Sequence, residues 1–172
     1  MTIYYGHLSL ILFKDIQPYK IMVQPSFNIA DFGSLHKTIP LVNIESYEAT
    51  PHFLAPEIFE GRHSEKSDIW SCGVLLYTIL AGRPPFQGRS NQEIIDSIKR
   101  GIFNFAGKEW RGISFEAKEL IRHMLLLNPG TRPCTKDVLL HSWFRLKDQA
   151  HLNRELVDYV KPNLIKFWVF YM

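Results

Sequence analysis

Asp68-Ile69-Trp70-Ser71-Cys72-Gly73-Val74-Leu75-Leu76-Tyr77-Thr78-Ile79-Leu80 is apolar over most of its length. The run is longer than an ordinary strand and too short to cross a bilayer. Its apolar residues fall on every side of a 3.6-residue repeat, which predicts a helix buried nearly all round. Gly82 and then Pro84-Pro85 end it, because glycine suits a left-handed cap and proline cannot continue the hydrogen-bond ladder.

Reading onward, residues 91–100 form an amphipathic helix with Ile94, Ile95 and Ile98 on one face, capped by Ser90 or Asn91. Ser114 is the expected N-cap of the next helix, with Ala117, Leu120, Ile121, Met124 and Leu125 at helical spacing. Ala117 stands where a full capping box wants Glu or Gln, so this cap is the weaker, one-sided kind. Thr135 is the expected N-cap of a helix over residues 135–141, and residues 152–160 read as helical before Pro162. Reading backward, residues 34–50 are polar and irregular. Ile21-Met22-Val23 and Phe27-Asn28-Ile29 are strand-like runs joined by the turn residues Gln24-Pro25-Ser26. The expected fold class is mainly α, with a short two-stranded β element near the N-terminus and no repeat or dividing linker.

At 172 residues, 46% hydrophobic and 22% charged, the chain has the composition of one globular domain and not of a disordered one. A net charge of +3 without a dense Lys/Arg stripe argues against a nucleic-acid role. Cys72 and Cys134 are in no metal-like spacing and read as reduced thiols. The first thirteen residues lack a basic n-region and a cleavage site. Residues 164–172 are apolar apart from Lys166 but too short to span a membrane. The expected location is therefore cytoplasmic, with no membrane partner.

Five short motifs follow in order: Asp31-Phe32-Gly33, Ala55-Pro56-Glu57, Asp68-Ile69-Trp70-Ser71-Cys72-Gly73, Gly82-Arg83-Pro84-Pro85-Phe86 and Asn128-Pro129-Gly130-Thr131-Arg132-Pro133. Each alone is a plausible turn, helix start or buried helix. Together, in this order and spacing, they resemble the C-terminal lobe of the eukaryotic protein kinase superfamily. Under that alignment Phe13-Lys14-Asp15-Ile16-Gln17-Pro18-Tyr19-Lys20 occupies the catalytic-loop position, and the resemblance runs on to Phe144. The helical half is most similar to calcium/calmodulin-type and calcium-dependent Ser/Thr protein kinases. That likeness is carried by Glu65-Lys66-Ser67-Asp68, by Gly101-Ile102-Phe103-Asn104-Phe105 with Trp110, and by His141-Ser142-Trp143-Phe144.

The resemblance implies a transferase that uses ATP and Mg. It places Asp15 as the catalytic carboxylate that orients a substrate hydroxyl, and Asp31 as the metal ligand. Asp31, Phe32, Gly33, Gln17 and Lys20 would be the cofactor-binding positions, and Thr50 would lie in the activation segment facing the protein substrate. Glu57 would pair with Arg132, and Asp68 would hold the catalytic loop. The implied partners are a protein substrate or a scaffold partner, with calcium regulation only through segments beyond these residues. Residues 1–146 would be a partial kinase domain lacking the N-terminal lobe, and residues 147–172 a tail resembling the start of a regulatory junction.

Several positions depart from the family pattern. Lys20 stands where a second metal-binding Asn is usual, and an ammonium has no lone pair for a cation. Gln17 replaces the Lys that neutralises the transferring phosphate, Lys14 replaces Arg, and Phe13 replaces His. Tyr19 and Thr78 stand where basophilic relatives carry Glu. The expectation is a Ser/Thr kinase domain that is inactive by itself. The alternative is a pseudokinase-like protein-binding module.

Overall fold

The computed structural model describes residues 11–13, 21–23, 27–29, 35–37 and 51–145, the strands and residue 145 by their backbone. Four three-residue strands come first: β1 (Ile11–Phe13), β2 (Ile21–Val23), β3 (Phe27–Ile29) and β4 (Leu35–Lys37). β2 and β3 pair antiparallel with Ile21 opposite Ile29 and Val23 opposite Phe27, the hairpin expected around Gln24-Pro25-Ser26. A second antiparallel pair joins β1 to β4, with Ile11 opposite Lys37 and Phe13 opposite Leu35. The sequence predicts a loop at Phe13 and irregular chain over residues 34–50, and the structure places strands at Phe13 and at Leu35–Lys37. Strands this short carry too little alternation to be read, and a partner far along the chain creates them.

The helices are α1 (Glu65–Ala81), α2 (Asn91–Arg100), α3 (Phe115–Met124), α4 (Thr135–Leu140) and α5 (Ser142–Arg145). Helix α1 starts one turn before the apolar run. Ser64 Oγ accepts from the Lys66 N–H at 3.3 Å, and Ser67 Oγ accepts from the Ser64 N–H at 3.2 Å. Gly82 closes the helix at φ 71°, its N–H donating to Thr78 O. Ser90 and Ser114 cap α2 and α3 through the N–H groups of Glu93 and Ala117. The expected cap at Thr135 is displaced by one residue. Cys134 is the N-cap, because Asp137 reaches back to its N–H at 2.9 Å, and Thr135 becomes the first helical residue. The helix expected over residues 152–160 lies outside the described residues.

Helix α1 is the axis of the fold. Trp70 and Val74 are fully buried, and Ile69, Tyr77 and Leu80 nearly so. Helix α3, the turns Pro51–Phe53 and Lys108–Trp110, and strand β1 pack around it. Its buried serine and threonine hydroxyls are satisfied both within the helix and by the chain before it. Thr78 Oγ1 donates to Val74 O at 2.7 Å, and Ser71 Oγ donates to Phe53 O at 2.8 Å. A chain of rings runs through the main core. Trp70 stacks on Phe86 at 5.3 Å, Phe86 meets Phe103 edge-on, and Tyr77, Phe105 and Trp110 close the series. Ile69, Leu120, Met124 and Val138 form a smaller cluster where α4 meets α1 and α3.

Helices α1 and α3 touch closely at Gly73. A Cβ built there would meet Met124 Cβ at 2.8 Å and Leu125 Cδ2 at 3.0 Å. Overpacking of this kind costs about 1–3 kcal/mol, against a helix-propensity gain of about 1 kcal/mol for removing a glycine. Gly73→Ala is therefore expected to lower the thermal midpoint, whereas Gly112→Ala, which meets nothing within 4 Å, leaves it nearly unchanged. Equal midpoints for the two variants would contradict this packing.

Candidate functional site

Two of the expected site elements are described and the rest are not. Asp15, Gln17, Lys20, Asp31, Phe32, Gly33 and Thr50 lie outside the described residues. Their flanks are placed. The β1–β4 pair joins Phe13 to Leu35, so the chain carrying Asp15 and Asp31 leaves from and returns to one strand pair. The β2–β3 hairpin is nested inside that loop. Helix α1, which bears Asp68, packs beside β1.

The Glu57–Arg132 pair is the best-defined part. Ala55 is extended and Pro56 opens the short turn Pro56–Glu60, which buries Glu57. Proline is favoured at such a start because its ring is pre-set and no N–H is lost. Arg132 Nη1 donates to Glu57 Oε1 at 2.7 Å and Nη2 to Oε2 at 3.1 Å. The guanidinium also donates to Lys66 O at 2.5 Å, Leu126 O at 3.1 Å and Leu127 O at 3.4 Å. Its face lies 5.1 Å over the Trp70 ring. Ser67 Oγ adds a bond to Glu57 Oε1 at 2.8 Å, and Lys66 Nζ donates to Arg132 O at 2.6 Å. Burial alone would push the Glu57 carboxyl up. The hydrogen bonds and charge of Arg132, helped by Ser67, outweigh it and hold the carboxyl below its usual range.

Asp68 is fully buried at the start of α1, with His63 Nε2 at 3.5 Å from Oδ1. Desolvation of the neighbouring Cys72 thiol, helped by the charge of Asp68, pushes its pKa up to about 12. That thiol is unreactive near neutral pH.

The turn Pro51–Phe53 follows directly on Thr50 and is buried throughout. His52 Nδ1 lies 2.9 Å from Phe86 O, and Phe53 O accepts the Ser71 hydroxyl. The turn is thus pinned both to α1 and to the loop after it. Burial lowers the His52 pKa, with the Phe86 carbonyl opposing. The neutral ring donates from Nδ1 to that carbonyl. Sequence reasoning missed His52, Ser67 and Ser71, since a lone His or Ser carries no spacing signal. Among the described residues no cluster of three His, Cys, Asp or Glu could hold a metal ion. No helix among them is long and apolar enough to cross a membrane.

The protein kinase domain family matches residues 1–144. Calcium-dependent protein kinase 5 of Plasmodium berghei (strain Anka) is 35% identical over 169 residues, covering 91% of this chain and 30% of that protein. Calcium-dependent protein kinase 3 of Plasmodium yoelii yoelii is 39% identical over 153 residues, covering 83% and 28%. Calcium-dependent protein kinase 5 of Plasmodium falciparum (isolate 3D7) is 36% identical over 171 residues, covering 93% and 30%. The chain spans under a third of the length of these relatives.

Two outcomes follow from the geometry. Arg132→Ala strands a buried carboxylate and is expected to cost about 3–5 kcal/mol in urea unfolding. The double variant Glu57→Leu/Arg132→Met recovers only part of this, because the carbonyls of Leu126 and Leu127 lose their Arg132 donor. Full recovery would show that the carbonyl bonds contribute nothing. The second outcome concerns acid. His52 has a lowered folded pKa, so its contribution is complete above the ordinary value of 6.5 and is lost as pH falls below it. Glu57 behaves likewise below its ordinary 4.5. Unfolding free energy is expected to decline from about pH 7 to pH 5, and His52→Gln to flatten that slope. Parallel profiles for the two proteins would refute the assignment.

Proposed function

The chain belongs to the protein kinase domain family, and from that premise we propose that it is the helical lobe of a Ser/Thr protein kinase, inactive by itself. The observation that carries this reading is the family match over residues 1–144, with carboxylates standing at both chemical positions, Asp15 and Asp31. Residues 1–146 would be the lobe and residues 147–172 the tail. The family reaction moves the γ-phosphoryl group of ATP to a protein hydroxyl, with Mg neutralising phosphate charge.

In this chain Asp15 would accept a hydrogen bond from the substrate hydroxyl and take its proton. Asp31 offers hard carboxylate oxygens that fit Mg. Gln17 and Lys20 fit less well, since one removes a cation that faces phosphate and the other puts an ammonium where a neutral metal ligand is usual. Thr50 would lie against the substrate segment, beside the turn that His52 pins to Phe86.

The same substitutions favour the second reading, a protein-binding module on a retained kinase lobe. Glu57, Arg132 and their hydrogen bonds are present while the phosphate-facing positions differ. The readings separate when the N-terminal lobe and joining helix of a related kinase are grafted onto this chain. A kinase lobe with tolerated loop changes transfers phosphate from the plain graft, and Asp15→Asn or Asp31→Asn abolishes it. A binding module transfers phosphate only after Lys20→Asn and Gln17→Lys, which then raise the rate by about a hundredfold or more. The ungrafted chain is expected to show no peptide phosphorylation, and Asp31-dependent activity from it would overturn the proposal.

A further inference from the structure

A groove of about 690 Å³ runs between the segment after α2 and the segment after α3, far along the chain from Asp15 and Asp31. Gly101, Phe103 and Phe105 form one wall, and Leu125, Leu126 and Leu127 the other. The volume is that of sites that bury a ligand-sized group.

The groove is preformed by its floor and walls. Tyr77 Oη donates to Asn104 O at 2.9 Å, which ties the first wall to α1. Phe103 and Phe105 meet edge-on at 5.6 Å, and Phe105 meets Trp110 at 4.5 Å. Gly101 sits at φ 63°, and any Cβ there would meet Leu127 at 2.7 Å. Glycine therefore lets the two walls approach at one end while they stay apart along the rest. Leu127 is 43% exposed, and the adjoining Ile102 is 75% exposed. Large apolar side chains beside a groove are a feature of docking surfaces.

Among the described residues the charge on the groove is of one sign: Arg122 is the charged residue of the lining, and no carboxylate is in it. The guanidinium stacks 4.7 Å from the Phe105 ring centre. Stacking occupies its face and leaves the N–H edge, the part that forks onto a carboxylate. The nearest carboxylate along its helix, Glu119, is directed to His141 at 3.8 Å. Arg100, the chain neighbour of Gly101, is a second exposed cation. An apolar channel with an exposed guanidinium over an aromatic ring is complementary to an apolar side chain next to a carboxylate.

We propose that this groove docks an acidic, apolar segment of a partner protein, with a Leu or Phe anchor between the two walls and a neighbouring Asp or Glu on Arg122. The described lining contains neither Asp15 nor Asp31, and docking there would serve an active kinase and a binding module alike.

The test uses the full chain and three labelled peptide probes that alternate leucine with glutamate, glutamine or lysine, read by fluorescence anisotropy. The glutamate peptide is expected to bind at least about tenfold more tightly than the glutamine one. Arg122→Glu is expected to reverse the order of the glutamate and lysine peptides, and Leu127→Asp to weaken all three. Thermal midpoints of the variants establish that they are folded. Arg122 is exposed on the last turn of α3, so its variant keeps the test decisive if Leu127→Asp does not fold. Equal binding of the glutamate and glutamine peptides overturns the proposal, as does no binding or no effect of Arg122→Glu. A dimer that occludes the groove, or peptide binding that appears only after deletion of residues 146–172, overturns it in favour of a second copy or the chain's own tail.

Discussion

The buried bond between Glu57 and Arg132 is the constraint on which the rest of this lobe depends. It joins residues 75 positions apart. A buried ion pair seldom stabilises a fold by its Coulomb attraction alone, because desolvation consumes most of the gain. Here the guanidinium spends its donors on two carboxylate oxygens and three backbone carbonyls. Those carbonyls belong to the start of α1 and to the loop after α3, and the carboxylate belongs to the turn Pro56–Glu60. One side chain therefore ties together three pieces of chain that share no helix or sheet ladder. The Trp70 ring under the guanidinium couples this polar knot to the aromatic core.

That arrangement keeps architecture separate from chemistry. The network runs through Glu57, Lys66, Ser67, Trp70 and Arg132, and its bonds are made among the described residues. Its hydrogen bonds are present in a chain that carries Gln17 and Lys20, and the fold by itself does not establish activity. The aromatic floor that packs Tyr77, Phe103, Phe105 and Trp110 also supports the groove at Arg122. Core packing and an outward-facing surface thus share the same rings.

Much of this was legible in advance, and the exceptions have physical causes. The apolar run over residues 68–80 announced a buried helix. Gly82, Ser90 and Ser114 announced ends that the hydrogen bonds respect. The turn residues between Val23 and Phe27 announced a hairpin. Strands β1 and β4 were not legible, because three residues hold little alternation and the pairing partner is remote. The cap at Cys134 was missed because a cysteine has weak capping propensity. The Asp137 carboxylate, reaching backward, decides that terminus. His52 was missed because nothing around it in the chain reveals that Phe86 will supply a carbonyl.

Sequence alone determined the helix order, several of the caps that bound the helices and the family resemblance. These depend on local spacing and on side-chain chemistry, which are present in the chain before it folds. Tertiary structure decided which polar groups are buried together and how each is satisfied. The partners of the five donors of Arg132, the carbonyl that holds His52 and the groove that places no described carboxylate beside Arg122 all arise from segments remote in the chain. Their energies depend on burial and distance, and neither quantity exists until the helices have packed.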